Sequence, residues 1–414
     1  MGLGDRSSPD IRLHYLDNIR SVIIVFVVLF HAILPYSGSC PWWYVIDPQS
    51  IGWAILFMLF LEPILMPILF FISGLLIRPS YERQGPARFM GVKVRRLLVP
   101  FLLCTFLFSP IMPFVRHRLR SADSGTDPQG FWAFWLEFLR SGSELYAGLP
   151  YLSEDLVVNQ YWFLMLLFVF CSGFLLYRQL RSEGALERPE PRGAGPPSLR
   201  MMLLLLLRFG LVIALAYALA CTLIDGNYWV TVGSLLQIQP AKVPIYLGFF
   251  LAGIHVERQG WLPRLLDLGR PALWLAASAA MTVLYFAAVL TSISAEDPSP
   301  SLVLASRVLR ILLLLSVTLW SLTFFHHRLN RSTPLWREIS ASSYDIYLIH
   351  MVPQVLLQWL ALSWPVPASL KFAGVSALTL LVSYLVSLFL VRRSTAGTVL
   401  GLALLFIVMC FVFR

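Results

Sequence analysis

The feature that most constrains this chain is its series of long hydrophobic runs. A helix needs about 17–25 apolar residues to cross the hydrocarbon core of a bilayer. Runs near this length cover residues 19–37, 51–77, 97–115, 161–179, 201–224, 242–256 (short), 271–291, 302–325, 339–362, 371–391 and 395–413. Because backbone groups inside a bilayer must be paired within their own segment, each run predicts a helix. We expect an all-α, polytopic transmembrane helix bundle of ten core spans, with 395–413 as an eleventh C-terminal span or an interfacial helix.

The composition excludes the main alternatives to a membrane protein. Hydrophobic residues make up 58% of the 414 residues and charged residues 13%, whereas soluble domains carry roughly 45–50% and 25%. A soluble globular domain and a disordered chain are therefore both excluded. The five cysteines form no closely spaced pair, so we expect neither a disulfide framework nor a bound metal.

The charges alternate from one loop to the next. The segments 78–96, 178–208 and 326–337 are rich in arginine, whereas 38–50 has no Lys or Arg and 292–301 has only acidic charges. Basic loops stay on the cytoplasmic side of a membrane. The pattern therefore predicts a cytoplasmic N-terminus, and it explains the net charge of +10 without a nucleic-acid partner.

Two segments do not read as spans. Residues 182–198 are rich in Pro, Gly and charge, which predicts a flexible cytoplasmic linker within a membrane domain covering 1–391. Residues 116–160 form a long outer loop that contains FWAFWLEFL at 131–139. Aromatic rings favour the depth of the lipid headgroups, so this stretch predicts a short helix in the membrane interface.

The first run carries ionisable residues on one helical face. Arg20 stands at its cytoplasmic entrance and His31 eleven residues later, which is three turns plus about 20° and a rise of about 16 Å. Asp17, three residues before Arg20, can pair with it. Ionisable side chains inside a span are costly and mark functional sites. The alternative is an arginine reaching to the interface and a histidine bonded to a neighbouring helix.

The second run has a carboxylate near its centre. Glu62 is followed by Pro63 and Pro67, so it lies beside a predicted helix break. A carboxylate at this depth faces the bundle interior. It is either a protonated structural group or part of a proton path.

The ninth run carries a stripe of polar residues at helical spacing. These residues are Ser343, Tyr347, His350, Gln354 and Gln358. Such a stripe lines either a helix–helix seam or a cavity. His350 lies at a depth similar to that of the first-span histidine and the second-span glutamate, so we expect the three to converge.

A basic cluster precedes the third run. Lys93, Arg95 and Arg96 directly precede LLVPFLL. They either anchor the span at the cytoplasmic surface or bind phosphate groups, which guanidinium groups hold through paired hydrogen bonds.

Five local patterns together resemble a known family. They are Arg20 with His31, separated by ten residues, FFISG at 70–74, KVRRLLVP at 93–100, QYWFLMLLF at 160–168 and SSYDIYLIHMVP at 342–353. Their order and spacing resemble the integral-membrane acyltransferases called acyltransferase family 3. YLDNIR and KVRR are most similar to the subgroup that contains glucans biosynthesis protein C. The basic motif of the family usually begins with arginine, where this chain has Lys93.

The resemblance implies a reaction and its substrates. An acyl group would pass from cytoplasmic acyl-CoA, a co-substrate and not a bound cofactor, to a hydroxyl of an outer-face glycan or glycolipid. The protein would lie in the bilayer of a bacterial plasma membrane. His31 would be the general base. Arg20, Lys93 and Arg96 would hold the donor phosphates, with Asp17 orienting Arg20.

Further residues have open roles. Tyr344, Tyr347 or His350 would stabilise the oxyanion or position the thioester, and Glu62 would support the histidines. No Cys or Ser stands out as a nucleophile, so direct transfer is the simpler route. The competing interpretation is a transporter of a sugar or lipid precursor, which would also place His and Glu inside the membrane.

Overall fold

The described part of the protein is mostly helical. A computed structural model describes residues 13–127, 129–141, 158–180, 198–232 and 236–392. The described residues are 79% helical with almost no strand, and eight helical segments among them are long and apolar enough to cross a membrane. The all-α membrane-protein prediction is confirmed. The count of ten or eleven spans stays a prediction.

The structure contains sixteen described α-helices and one pair of short strands. The α-helices are α1 (His14–Ile33), α2 (Ala54–Leu61), α3 (Leu65–Gln84), α4 (Pro86–Lys93), α5 (Val99–Leu107), α6 (Ile111–Ser124), α7 (Phe131–Ser141), α8 (Trp162–Leu180), α9 (Leu199–Leu223), α10 (Val243–Arg258), α11 (Leu262–Leu266), α12 (Pro271–Ser294), α13 (Pro300–Arg328), α14 (Pro334–Ile349), α15 (Met351–Ala361) and α16 (Ala368–Val386). Short 3₁₀ helices cover Leu34–Tyr36, Asn159–Tyr161 and Pro240–Lys242, and π-helical turns cover Val94–Leu98 and Ser387–Val391. Strands β1 (Val230–Val232) and β2 (Leu236–Ile238) pair antiparallel.

Three predicted features lie at least partly outside the described residues. Of the predicted linker 182–198 the structure describes Ser198, whose side chain caps α9 by accepting from the backbone of Met201. Residues 142–157 of the predicted outer loop and the predicted helix 395–413 lie outside the described part of the chain.

Two predicted spans differ from a single long helix. The run at 242–256 forms α10, which has 16 residues and is shorter than a full crossing needs. The run at 339–362 forms α14 and α15, which meet at His350. Pro353 cannot donate a hydrogen bond to the carbonyl of Ile349, which explains why the helix is interrupted there.

Prolines also interrupt the second and third runs. The predicted break near Glu62 is confirmed, because α2 ends at Leu61 and α3 begins at Leu65. The third run is divided before Pro110, and α6 then continues through Ser124. Residues 116–124 are therefore helical, and the irregular part of the predicted outer loop begins later.

The closest helix packing joins α3 to α10. A Cβ atom on Gly74 would lie 2.0 Å from the carbonyl oxygen of Phe250, and one on Gly253 would lie 2.2 Å from that of Phe71. Only glycine permits this approach of two backbones, which is the small-residue packing found between membrane helices. The pair fixes the position of α10 against the second span.

Helix α1 lies at the centre of the bundle and packs against α13, α14 and α16. Its N-terminal end is held by Asn18, whose side-chain amide donates to the carbonyl of Leu329 at 2.7 Å. At its other end the following loop is held by Asp47, which pairs with Lys371 of α16 at 2.8 Å, both side chains being buried. The first span is thus fixed at both ends.

Helix α7 confirms that FWAFWLEFL forms a helix. Phe131, Phe134 and Phe138 are buried on one face, whereas Trp132 is 49% exposed and Leu136 is exposed beside it. This is the two-sided pattern of a helix that lies along a surface. Its depth in the bilayer stays a prediction.

Candidate active site

The predicted convergence of two histidines is observed. Nε2 of His350 lies 3.3 Å from Nδ1 of His31, and the ring centroids are 5.3 Å apart. One ring comes from the end of α1 and the other from the junction of α14 and α15. Residues 319 positions apart in sequence therefore form one pair inside the bundle.

Hydrogen bonds determine the proton positions in this pair. Nδ1 of His350 lies 2.8 Å from the carbonyl of Tyr347 and 3.1 Å from that of Ile346. Carbonyl oxygens only accept, so this Nδ1 carries a hydrogen and the Nε2 of a neutral His350 has a lone pair. Nδ1 of His31 then donates to that lone pair. The Nε2 of His31 keeps its own lone pair, as a general base requires.

The polar stripe of the ninth run forms a seam against α1. The side-chain amide of Gln354 donates to the carbonyl of Val28 at 2.8 Å, and that of Gln358 donates to the carbonyl of His31 at 3.0 Å. Both glutamines are buried. Of the two alternatives for the stripe, the structure favours the helix–helix seam. We call His31, Trp43, His350, Gln354 and Gln358 the histidine seam.

Trp43 covers the other side of the first-span histidine. Its ring is nearly parallel to that of His31, at 18° and 5.8 Å between centroids, and its indole nitrogen donates to Gln358 at 3.0 Å. Buried Arg116 holds the loop before it by donating to the carbonyls of Pro41 at 2.9 Å and Trp42 at 2.7 Å. His31 is thus placed between two rings and stays partly exposed.

The 3₁₀ helix Asn159–Tyr161 joins this loop to α14. The hydroxyl of Tyr44 donates to the side chain of Asn159, and the hydroxyl of Tyr347 donates to the carbonyl of Gln160. Burial raises the pKa of Tyr44 well above its usual value, so its phenol stays a neutral donor. The hydroxyl of Tyr347, which was predicted as a possible oxyanion donor, is thus already bonded to the backbone.

A second candidate region lies at the predicted cytoplasmic end. A cavity of about 400 Å³ is lined by Arg83, Gln84, Arg88, Val92 and Arg96, and we call it the arginine cavity. It lies at the hairpin of α3 and α4, where Gly85 adopts a φ of +73° that favours glycine. Three guanidinium groups around one space form an anion-binding surface.

Two of these arginines have no acidic partner in the part of the chain that the structure describes. Among the described residues, no carboxylate pairs with Arg88 or Arg96. Arg78, on the same helix hairpin, instead pairs with Glu82 at 2.7 Å and Glu257 at 3.8 Å. Arg88 and Arg96 are therefore available to an anionic ligand, whereas Arg78 is part of the packing.

The predicted donor-binding residues do not all line the arginine cavity. Arg96 lines the arginine cavity, and its carbonyl in the π-helical turn accepts from the hydroxyl of Tyr344. Lys93 instead lies 5.0 Å above the ring centroid of Phe89. Arg20 pairs with Asp17 at 3.6 Å as predicted, but its side chain is 47% exposed and it does not line the cavity.

Glu62 does not join the histidines. Lys242 lies 2.7 Å from one of its carboxylate oxygens and Arg310 lies 2.5 Å from the other. Two cations at hydrogen-bond distance stabilise the ionised form, which contradicts the interpretation of Glu62 as a protonated group. The prediction that Glu62 converges with the two histidines is therefore wrong, because Glu62 belongs to a separate charged cluster.

Comparison with known proteins identifies the class. A family model described as an acyltransferase domain, the acyltransferase 3 model, matches residues 13–388. The chain belongs to this family and is a multi-pass membrane acyltransferase. No curated protein and no solved structure matched the chain. Within the described residues, no three His, Cys, Asp or Glu side chains are grouped to hold a metal.

Several site residues were not recognised in the sequence. Arg83 and Arg88 were counted only as positive loop charge, and Trp43 and Arg116 only as loop residues. Arg310 was overlooked, although a charged residue inside the run 302–325 is costly for the same reason as the first-span histidine. Its position within an apolar run was the signal that could have found it.

Proposed function

We propose that this acyltransferase moves an acyl group from cytoplasmic acyl-CoA to a hydroxyl of a glycan or glycolipid on the outer face. The observation that carries the proposal is the contact between His31 and His350, because the carbonyl contacts of His350 imply a lone pair on Nε2 of His31. The motifs shared with the subgroup of glucans biosynthesis protein C favour a glucan as acceptor. Family membership favours an enzyme over a transporter.

The arginine cavity is the proposed site of the donor phosphates. Arg83, Arg88 and Arg96 surround a space of about 400 Å³, and planar guanidinium groups match phosphate oxygens. Arg83 and Arg88 thus join the predicted set. Lys93, against Phe89, and Arg20, with Asp17, would attract the donor by charge at the same membrane face without lining the cavity.

The tyrosines of α14 connect the proposed donor site to the histidines. Tyr344 donates to the backbone of Arg96, and His350 lies six residues further along, a rise of about 9 Å. Because the hydroxyls of Tyr344 and Tyr347 donate to backbone carbonyls, we assign both a positioning role. They hold α14 in register with the cavity and with the 3₁₀ helix at Asn159–Tyr161.

In the proposed step, Nε2 of His31 takes the proton of the acceptor hydroxyl as its oxygen attacks the thioester carbonyl. The carbon–sulfur bond then breaks, an ester forms, and the thiolate leaves. The imidazolium returns its proton to the thiolate, so the products are an acylated acceptor and coenzyme A. Nε2 of His350 accepts the hydrogen bond from Nδ1 of His31, which keeps His31 in the tautomer that a base requires.

The test is acyl transfer by the purified protein in lipid nanodiscs. Free thiol and ester product are measured with acyl-CoA, with and without an acceptor glucan. His31→Ala should lower transfer by at least about a hundredfold, since a general base contributes 10²–10⁴-fold. His327→Ala, at an exposed histidine, is the matched control and should be unchanged. Near-normal transfer by His31→Ala would reject the proposed base.

A further inference from the structure

A second charged cluster lies inside the bundle, formed by residues that the proposed reaction does not use. Glu62 lies in the break between α2 and α3, Lys242 directly precedes α10, and Arg310 lies in α13. Nζ of Lys242 is 2.7 Å from Oε1 of Glu62, and Nη2 of Arg310 is 2.5 Å from Oε2. Each oxygen of the carboxylate therefore has its own cation.

The charges of this cluster do not balance. Two cations face one carboxylate, and no other described carboxylate pairs with Lys242 or Arg310. Their side chains are only 6% and 12% exposed. The Asp47–Lys371 pair of the same chain is also buried but has one charge of each sign. An excess buried charge is costly unless an ion of opposite sign accompanies it.

Two helix N-termini add positive potential at the same place. Phe70 of α3 contacts Tyr246 of α10, and Arg78 pairs with Glu257, so the two helices run parallel. Both begin beside the cluster, and neither first turn has a side-chain cap. The positive end of each helix dipole favours an anion.

One donor atom of Arg310 can still donate a hydrogen bond to an additional anion, and aromatic rings surround it. Nε of Arg310 is buried and has no hydrogen-bond partner among the described residues, and its guanidinium lies 5.6 Å from the ring centroid of Tyr217. Tyr246 and Tyr285 also lie close enough to interact electrostatically with this arginine and with Glu62. Glu62 is 31% exposed, so the cluster opens to the surface of the helix bundle.

We propose that Lys242 and Arg310, with the N-termini of α3 and α10, form a binding site for a phosphate group. The phosphate belongs either to a lipid headgroup or to a soluble phosphate compound. Glu62 is the internal carboxylate that competes with it for the two cations. The site is separate from the histidine seam and does not depend on the proposed acyl transfer.

The test measures anion binding by the purified full-length protein in neutral detergent. The Arg88→Ala variant is the background, because it weakens binding at the arginine cavity. One arm adds inorganic phosphate against chloride at equal ionic strength, and the other adds phosphatidylglycerol against diacylglycerol. The change in melting temperature across a titration gives the apparent Kd. A response to the lipid alone identifies a headgroup, and a response to both ligands identifies a site that also takes soluble phosphate; either supports the proposal.

The variants separate binding from a purely structural cluster. Arg310→Met should weaken the apparent affinity about tenfold or more, as expected for a lost charge-assisted hydrogen bond. Glu62→Gln should strengthen it, because the competing charge is removed. Lys371→Met removes a cation from the other buried ion pair and should leave the affinity unchanged. The proposal would be overturned if neither the background protein nor the Glu62→Gln variant responded to either ligand. It would also be overturned if Arg310→Met bound as tightly as the background protein. If Arg310→Met does not fold, weaker binding by Glu62→Gln than by the background protein would overturn it.

Discussion

The histidine seam and the arginine cavity differ in how their polar side chains are paired. In the seam, Gln354 and Gln358 each bond to the backbone of α1, and the two histidine rings contact each other. In the cavity, Arg88 and Arg96 have no acidic partner among the described residues. The seam is preorganised by partners from its own chain, which suits a reacting group. The cavity keeps its charges for a ligand.

The two regions are joined by one helix. The hydroxyl of Tyr344 is bonded to the backbone of Arg96, and the same helix ends at His350. A displacement of the third-span π-helical turn would therefore reach the histidine pair through α14. This connection predicts that variants in the seam change turnover, whereas variants in the cavity change donor affinity.

The largest expected difference is between two introduced cysteines that lie on opposite sides of the membrane. Ser124→Cys on α6 and Ser332→Cys before α14 are exposed positions that the charge pattern assigns to opposite faces. An impermeant thiol reagent should label the first from outside and the second only after permeabilisation. Cys221 and Cys410 are replaced by serine first.

Native Cys40 provides an internal control for that experiment. Burial raises the pKa of its thiol, so at neutral pH it stays protonated and should react slowly. Equal labelling of both introduced cysteines in intact cells would contradict the assigned topology and with it the direction of acyl transfer.

A change at His350 should have the next largest effect. His350→Ala removes the acceptor that holds the proton of His31 on Nδ1, and it leaves the base itself in place. We expect kcat to fall by about ten- to a hundredfold, less than most of the 10²–10⁴-fold range of general acid–base catalysis because the base itself remains, with the donor KM unchanged. A parallel loss of donor affinity would show that the seam also binds donor.

Changes in the arginine cavity should act on binding. Arg88→Ala and Arg96→Ala each remove one guanidinium, and the donor KM should rise about tenfold for a lost charge-assisted contact. Because exposed charges are screened by salt, the wild-type KM should also rise with ionic strength. Arg328→Ala, an exposed arginine at the end of α13, serves as the control. A change in kcat alone would contradict this division of roles.

The smallest effect is expected at Trp43. Trp43→Phe keeps a ring against His31 but loses the hydrogen bond to Gln358, a neutral contact worth about 1 kcal/mol. Transfer should fall by only about fivefold at 25 °C. Trp53→Phe, in the same loop but exposed, is the control and should not change it. A loss as large as that of His31→Ala would assign Trp43 a direct part in the reaction.

Much of the fold followed from patterns that the membrane imposes. Spanning length predicted the helices, prolines predicted the break beside Glu62, and the polar spacing of the ninth run predicted the face that meets α1. Similar depth predicted that His31, His350 and Glu62 converge; the two histidines do, whereas Glu62 pairs with other residues.

The remaining site depended on contacts between distant parts of the chain. Glu62 meets Lys242 and Arg310, which lie 180 and 248 positions later, and hydropathy does not show which helices are neighbours. Arg83 and Arg88 fit the positive-inside pattern, so the sequence gives no separate sign that they also line a cavity. Only the hairpin at Gly85 shows that they face one cavity with Arg96.

The most direct test of the account is acyl transfer across a sealed membrane. Inside-out vesicles carry the protein and enclose an acceptor glucan, and labelled acyl-CoA is added only to the outside, which is the former cytoplasmic face. We predict labelled ester on the enclosed glucan with the wild-type protein, at least about a hundredfold less with His31→Ala, and none when only the external solution holds glucan. Ester formed on external glucan, or equal transfer by His31→Ala, would contradict the account.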